Sequence, residues 1–165
     1  MKKINPWEAN DLAGDYEERG FHPTKWEEVT EFDEEGYGWV CTDNGWGFVN
    51  QEGYLVIPDD YEMIQYPFFE NGYCIAKKEG KLGIFDRKNH EVFPFIYDQL
   101  FGDLAAEIPK VVVALNGKWE MMDINRNTIL PLEYDDIFGF NDKFIIASKN
   151  NKYGLIDYQE NIIID

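Results

Sequence analysis

The chain has 165 residues, 44% of them apolar and 16% aromatic, with 32 acidic residues against 15 basic ones for a formal charge of −17. That length fits one compact domain with a real core. That charge repels phosphate backbones and anionic membranes, because nucleic-acid binding needs Lys and Arg to displace counterions, so the partner to expect is another protein, a basic one.

In chain order, Asn5 stands as an N-cap with Pro6 at the first helical position, and Ala9, Leu12, Ala13 and Tyr16 form one apolar face before Gly20. The spacing predicts a short helix over 6–19, in a helical or irregular segment of residues 1–21 ahead of a β domain at 22–165. No apolar h-region follows Met1-Lys2-Lys3, and no run approaches about 18 apolar residues, so a cytoplasmic location is expected. Cys41 and Cys74 form neither a disulfide framework nor a metal-ligand spacing and read as buried thiols.

The N-terminal quarter is the more acidic part, with twelve acids and four bases in residues 1–45. Its densest cluster is Glu27, Glu28, Glu31, Asp33, Glu34 and Glu35. It reads either as a solubilising face or as a docking surface for a basic protein, steered by long-range attraction.

From residue 45 the chain repeats itself. Trp46, Leu82, Trp119 and Tyr153 stand 36, 37 and 34 residues apart, each opening an apolar strand. A turn follows that starts with Asn50, Asp86, Asp123 or Asp157, whose side chains can bond the backbone ahead. Next comes an aliphatic strand, as in Leu55-Val56-Ile57 and Ile162-Ile163-Ile164, which Pro58, Pro94 and Pro131 are expected to close. Third strands begin at Tyr61, Tyr97 and Tyr134, and the most apolar fourth strands are Tyr73–Ala76, Val111–Ala114 and Phe144–Ala147.

The pattern predicts an all-β fold of antiparallel meander repeats, about four units of 36 residues. Trp26–Phe32 and Tyr37–Val40 would form half a unit, and residues 151–165 the complementary half. A ring in the manner of a propeller, closed by joining those halves, would hide both sheet edges. An open array is the alternative.

At Trp46-Gly47, with its Asp-x-x-Gly-like turn, Pro-x-x-Tyr-Asp segment and Lys-Tyr/Trp-Gly return, the chain resembles the WG-repeat family of bacterial proteins, also called KWG repeats. The resemblance covers about residues 26–165. Leu82-Gly83 lacks the aromatic and Trp119-Glu120 the glycine. The resemblance implies a β-rich binding scaffold without a catalytic motif.

Catalytic residues, metal ligands and cofactors are not expected. The acid pairs Asp59-Asp60 and Asp135-Asp136 stand beside the repeating tyrosines Tyr61 and Tyr134, which suits a turn better than an active site. His22 and His90 are too few and too far apart for a His-based metal or nucleophile site. Asp86, Asp123 and Asp157 lack the oxygen-rich spacing of calcium loops. No Gly-rich loop opens a helix.

Most periodic aromatics read as packing. Phe68, Phe69, Phe95 and Phe101, beside the irregular segments 67–72 and 102–110, are the candidates for exposed binding anchors.

The function to expect is a noncatalytic protein-binding repeat module. A sharper variant is an acidic immunity-type inhibitor of a basic toxin. The alternatives are a sugar- or metal-dependent binder or enzyme using carboxylates on one rim, and a self-assembling structural unit. A rim enzyme requires converging carboxylates of raised pKa.

Overall fold

The computed structural model describes residues 26–29, 32–65, 69 and 71–164. The expected helix at 6–19, and with it Glu31 and Phe68 of the candidate residues, lie outside the described residues.

The described chain is all-β, in four antiparallel sheets of four strands each. Sheet I holds β1 (Trp26–Val29), β2 (Tyr37–Thr42), β3 (Gly45–Asn50) and β4 (Leu55–Tyr61). Sheet II holds β5 (Met63–Ile64), β6 (Tyr73–Lys78), β7 (Lys81–Asp86) and β8 (Glu91–Tyr97). Sheet III holds β9 (Gln99–Asp103), β10 (Lys110–Leu115), β11 (Lys118–Asp123) and β12 (Thr128–Tyr134). Sheet IV holds β13 (Asp136–Phe140), β14 (Ile145–Lys149), β15 (Lys152–Ile156) and β16 (Ile162–Ile164).

The four meanders are as expected, but their boundaries lie half a unit from the expected cut. The most apolar strand of one expected unit and the Trp-Gly strand of the next form one tight hairpin. Asn116-Gly117 and Asn150-Asn151 occupy its two central positions, with φ of 53° and 75°, and 55° and 59°. Two successive positive φ values match the right-handed twist of the flanking strands, so the ladder continues straight across. The sheets instead part at a single residue after each tyrosine, at Glu62, Asp98 and Asp135. Every sheet is thus sequence-contiguous, and the two terminal halves do not combine: β1 to β4 form one sheet and β13 to β16 another.

The prolines do not close their strands either. β4, β8 and β12 run through Pro58, Pro94 and Pro131 to the tyrosine. Each is the last strand in its sheet's order, where a missing N–H costs no ladder bond. The register also jumps there: Phe48 pairs Ile57 but Trp46 pairs Tyr61, and the same jump recurs between Ile84–Phe93 and Leu82–Tyr97. The proline segment is a bulge, folded over the residue after the aromatic. A Cβ on Gly47 would stand 2.7 Å from the Ile57 carbonyl oxygen and 2.8 Å from that of Pro58, and one on Gly83 2.8 Å from that of Phe93. At Gly47 and Gly83 the proline bulge opposite therefore leaves no room for a Cβ, whereas the third copy carries Glu120 in that slot.

Alternation along the strands gives each sheet two apolar faces. The face carrying Phe48 and Ile57 in sheet I, its trailing face, packs on Cys74, Ala76 and Phe85 of the leading face of sheet II. Ile75, Ile84 and Phe93 pack in the same way on Val111, Val113 and Met122 of sheet III. Val112, Met121 and Leu130 pack on Ile137, Ile145, Ala147 and Ile156 of sheet IV. Tyrosines lock the joints: Tyr61 Oη donates to Asn89 Oδ1 at 2.8 Å and Tyr134 Oη to Glu160 Oε2 at 2.6 Å, each reaching a turn of the next sheet. Among the described residues the apolar clusters join sheets I and II, II and III, and III and IV, and none joins sheet IV to sheet I.

Candidate functional site

The described part of the acidic cluster is tied into the fold. Glu27 and Glu28 lie on β1. Asp33 Oδ1 accepts the amides of Glu35 at 3.0 Å and Tyr37 at 2.9 Å, capping the turn into β2. Its Oδ2 accepts a hydrogen bond from Arg87 Nη1 at 2.8 Å, and the Glu35 carboxylate lies 3.2 Å from Arg87 Nε. That Nε is buried and lacks a hydrogen bond, so Glu35 acts on it by charge at close range rather than by an aligned bond. The guanidinium stacks 4.3 Å from the Phe69 ring centre and 4.9 Å from that of Tyr37. Burial would raise the Asp33 carboxyl, but the Tyr37 amide and the Arg87 guanidinium hold it below its ordinary value. Glu34 alone among Asp33, Glu34 and Glu35 is exposed with no ion pair to a described residue.

Of the candidate aromatics, Phe69 is not an exposed anchor. It is buried among Phe48, Phe85 and Tyr37, with ring centres 4.7, 5.8 and 5.7 Å away, as a member of the first core. Phe95 is half-buried, with its ring 5.6 Å from Tyr61. Phe101 is half-buried too, 6.0 Å from Trp119 at the third core. It also lines a cleft of about 240 Å³ between sheets III and IV, with Asp103, Lys110, Phe140, Asn141 and Asp142.

The turn acids do the work assigned to them. Asp86, Asp123 and Asp157 each accept two amides, two and four residues ahead, at 2.8–2.9 Å. Asp98 and Asp135 pair with Lys81 and Lys118 at 2.5 and 2.6 Å and also accept the amides of Asn116 and Asn151. Asp59 accepts from Thr42 Oγ1 at 2.6 Å. Among the described residues, no group of three or more His, Cys, Asp or Glu is placed to hold a metal.

These bonds set the charge state. Burial raises Asp86, but the His90 amide and ring more than reverse it. Side-chain bonds from Lys81, Asn127, Lys118 and Asn161 lower Asp98, Asp123, Asp135 and Asp157. A general acid needs the opposite shift. A carboxyl lowered by folding stabilises the fold above its unfolded value, ordinarily 3.8, and that contribution is lost as pH falls through the lower folded value. The urea midpoint is therefore expected to fall below about pH 4, where these carboxyls start to protonate. Asp123→Asn combined with Asp157→Asn will flatten that limb. A midpoint that holds or rises on acidification would show that relief of the net negative charge dominates instead.

Burial pushes the Cys74 thiol up to about 12, so it is no nucleophile at neutral pH.

The surface that stands out is the trailing face of sheet IV. The register of the ladders makes Ile164 the fourth copy of Ile57, Phe93 and Leu130, and Ile146 a copy of Ile75 and Val112. The first three of these are 0% exposed and Ile75 and Val112 at most 4%, yet Ile164 is 63% and Ile146 50% exposed. Tyr153, in the slot of half-buried Trp46, Leu82 and Trp119, is 67% exposed, and Phe138, in the slot of Phe101, is 52% exposed. Phe138 and Tyr153 sit with ring centres 5.6 Å apart on this face. The sequence singled out Phe101, which is half-buried, and passed over its exposed copy Phe138.

The WG-containing repeat model matches residues 23–46, 46–81 and 121–153, more than half of the sequence. The chain belongs to the WG-repeat family. This WG-repeat chain has no match among curated proteins. Among solved structures it is similar to KlHsv2 with loop 6CD replaced by a Gly-Ser linker, at 12% identity and a TM-score of 0.45. That match covers 84% of this chain and 50% of the other, so the chain spans half that protein's length. At Trp46-Gly47 and at its copy Leu82-Gly83 a proline bulge closes over the glycine.

Proposed function

We propose that this WG-repeat chain is a noncatalytic protein-binding module and that the trailing face of sheet IV is its docking surface. One observation carries the reading: positions that form the inter-sheet cores three times over are exposed in their fourth copy. An apolar patch of clustered Ile, Tyr and Phe on one sheet is the kind of surface that proteins cover with a partner. The carboxylates support the same reading, because the turn and hairpin acids are engaged in caps and ion pairs, and the cleft between sheets III and IV holds two, Asp103 and Asp142, beside Lys110. The sharper variant, an acidic inhibitor of a basic toxin, draws less support, since Arg87 within the chain already holds Asp33 and Glu35.

The test is affinity capture from host extract with the native chain and with Ile146→Lys, a substitution at a half-exposed side chain. Loss of the captured proteins with an unchanged thermal midpoint supports the reading. Equal capture by both would end it.

A further inference from the structure

Resting on that reading, we propose that the trailing face of sheet IV is self-complementary and joins two copies of this chain about a two-fold axis. The face is defined by Phe138, Ile146, Tyr153, Leu155 and Ile164, with the Ile162–Ile163 edge beside them. Three observations select a second copy as its occupant.

The first is continuity with the interfaces already built. In sheets I to III the same ladder positions pack against another four-stranded sheet of the same kind, so the geometry of this face is that of a sheet-on-sheet joint. In a second copy, the leading faces of sheets II, III and IV are occupied by those joints. The leading face of sheet I is closed as well: Val40 and Val49 are 0% exposed. The trailing face of sheet IV is the one sheet face of a second copy left open among the described residues, and a face that meets its own copy does so about a two-fold axis.

The second is charge. The chain carries a net −17, yet on this face the strands contribute one acid, Asp136, and no lysine or arginine. A basic partner drawn by carboxylates has little to hold here. Two identical apolar faces do.

The third is the distribution of side chains across the sheet. The strand order is β13-β14-β15-β16, with aromatic Phe138 on one edge strand and aliphatic Ile162, Ile163 and Ile164 on the other. A two-fold axis parallel to the strands reverses that order between copies. It lays the Phe138 edge of each copy on the isoleucine edge of its mate, with Ile146 and Leu155 near the centre. Aromatic against aliphatic is a favourable cross-sheet pairing, whereas a parallel superposition would stack like on like.

Electrostatics give the dimer a signature. Two chains of −17 repel, so screening strengthens their association. Raising salt from about 0.1 M to about 1 M shortens the screening length from about 10 Å to about 3 Å. A complex with a basic partner weakens over that range.

The experiment is sedimentation equilibrium of the full chain over a range of concentrations at both salt levels. The expected result is a monomer–dimer equilibrium that tightens with salt. Ile146→Lys and Tyr153→Lys, each placing two cations at the centre of the pair, are expected to give monomers whose unfolding midpoints equal that of the native chain diluted below its dimer dissociation constant. Val56→Lys, a similarly exposed position on sheet I, should leave the dimer intact. A native chain that stays monomeric at high salt and at every concentration, or a dimer that survives both lysine variants, overturns the proposal. If the native chain is monomeric while Ile146→Lys still loses its captured partners, the two-fold interface falls and the docking face stands. If Ile146→Lys changes neither, both fall.

Discussion

Gly47→Ala is expected to destabilise the fold by about 2–4 kcal/mol, well above the cost of an ordinary surface substitution. The added Cβ would stand 2.7 Å from the Ile57 carbonyl oxygen, 2.8 Å from that of Pro58 and 2.9 Å from Cα of Asp59. All three are backbone atoms of the bulge, so no side chain can swing aside, and the bulge must move away from β3. That movement would drag Tyr61, which pairs with Trp46 just beyond the bulge and bonds to Asn89 of sheet II. The damage would thus reach the first inter-sheet core. The control is Gly139→Ala, because a Cβ there meets nothing within 4 Å and its φ is not positive. Urea unfolding of the two variants checks the contrast. Equal midpoints would show that the bulge is soft and that the Trp-Gly glycine has some other cause.

Phe85→Ala is expected to cost about 3–5 kcal/mol, the loss typical of a large aromatic removed from a core that cannot collapse. Phe85 is fully buried where sheets I and II meet. Its ring stacks on Tyr61 at 4.8 Å and meets Phe69 edge-on at 5.8 Å. Stabilities of natural domains are only about 5–15 kcal/mol, so the variant will approach unfolding at ambient temperature. In a repeat array, stability comes from nearest-neighbour joints, and loss of the joint between sheets I and II loosens sheet I first. Hydrogen exchange is then expected to rise in β2 and β3 while β14 and β15 keep their protection. Phe138→Ala, which removes an exposed ring, gives the reference. A loss for Phe85→Ala no larger than that of Phe138→Ala would refute the joint as described.

Much of this was legible from residues. The Trp46, Leu82, Trp119 and Tyr153 register predicted four antiparallel meanders, and four sheets of four strands are present. Asp86, Asp123 and Asp157 were readable as turn caps, because an aspartate followed at short range by Asn or Gly can do little else between two apolar strands. The phase of the cut was not legible. Both connections in the repeat are short and polar, and only the ladder shows that Asn116-Gly117 continues a sheet while the single residue after Tyr97 ends one. Nor was the role of proline, which reads locally as a terminator but sits on an edge strand within a bulge.

The exposed site was half legible. The alignment of Tyr153 with Trp119, and of Phe138 with Phe101, is present in the spacing. Their exposure is not, because a sequence repeat assigns the same packing role to every copy.

Sequence by itself determined the fold class, the repeat count and the use of most carboxylates, since these follow from period, alternation and turn chemistry within a few residues. Tertiary structure alone decided which strands share a sheet, why glycine faces proline, that Phe69 is buried, and which copy of the packing face stays open. Each of those depends on contacts that the local pattern does not specify: across a hairpin for the glycine and proline, and across a joint, between residues about 25 to 37 apart, for the rest.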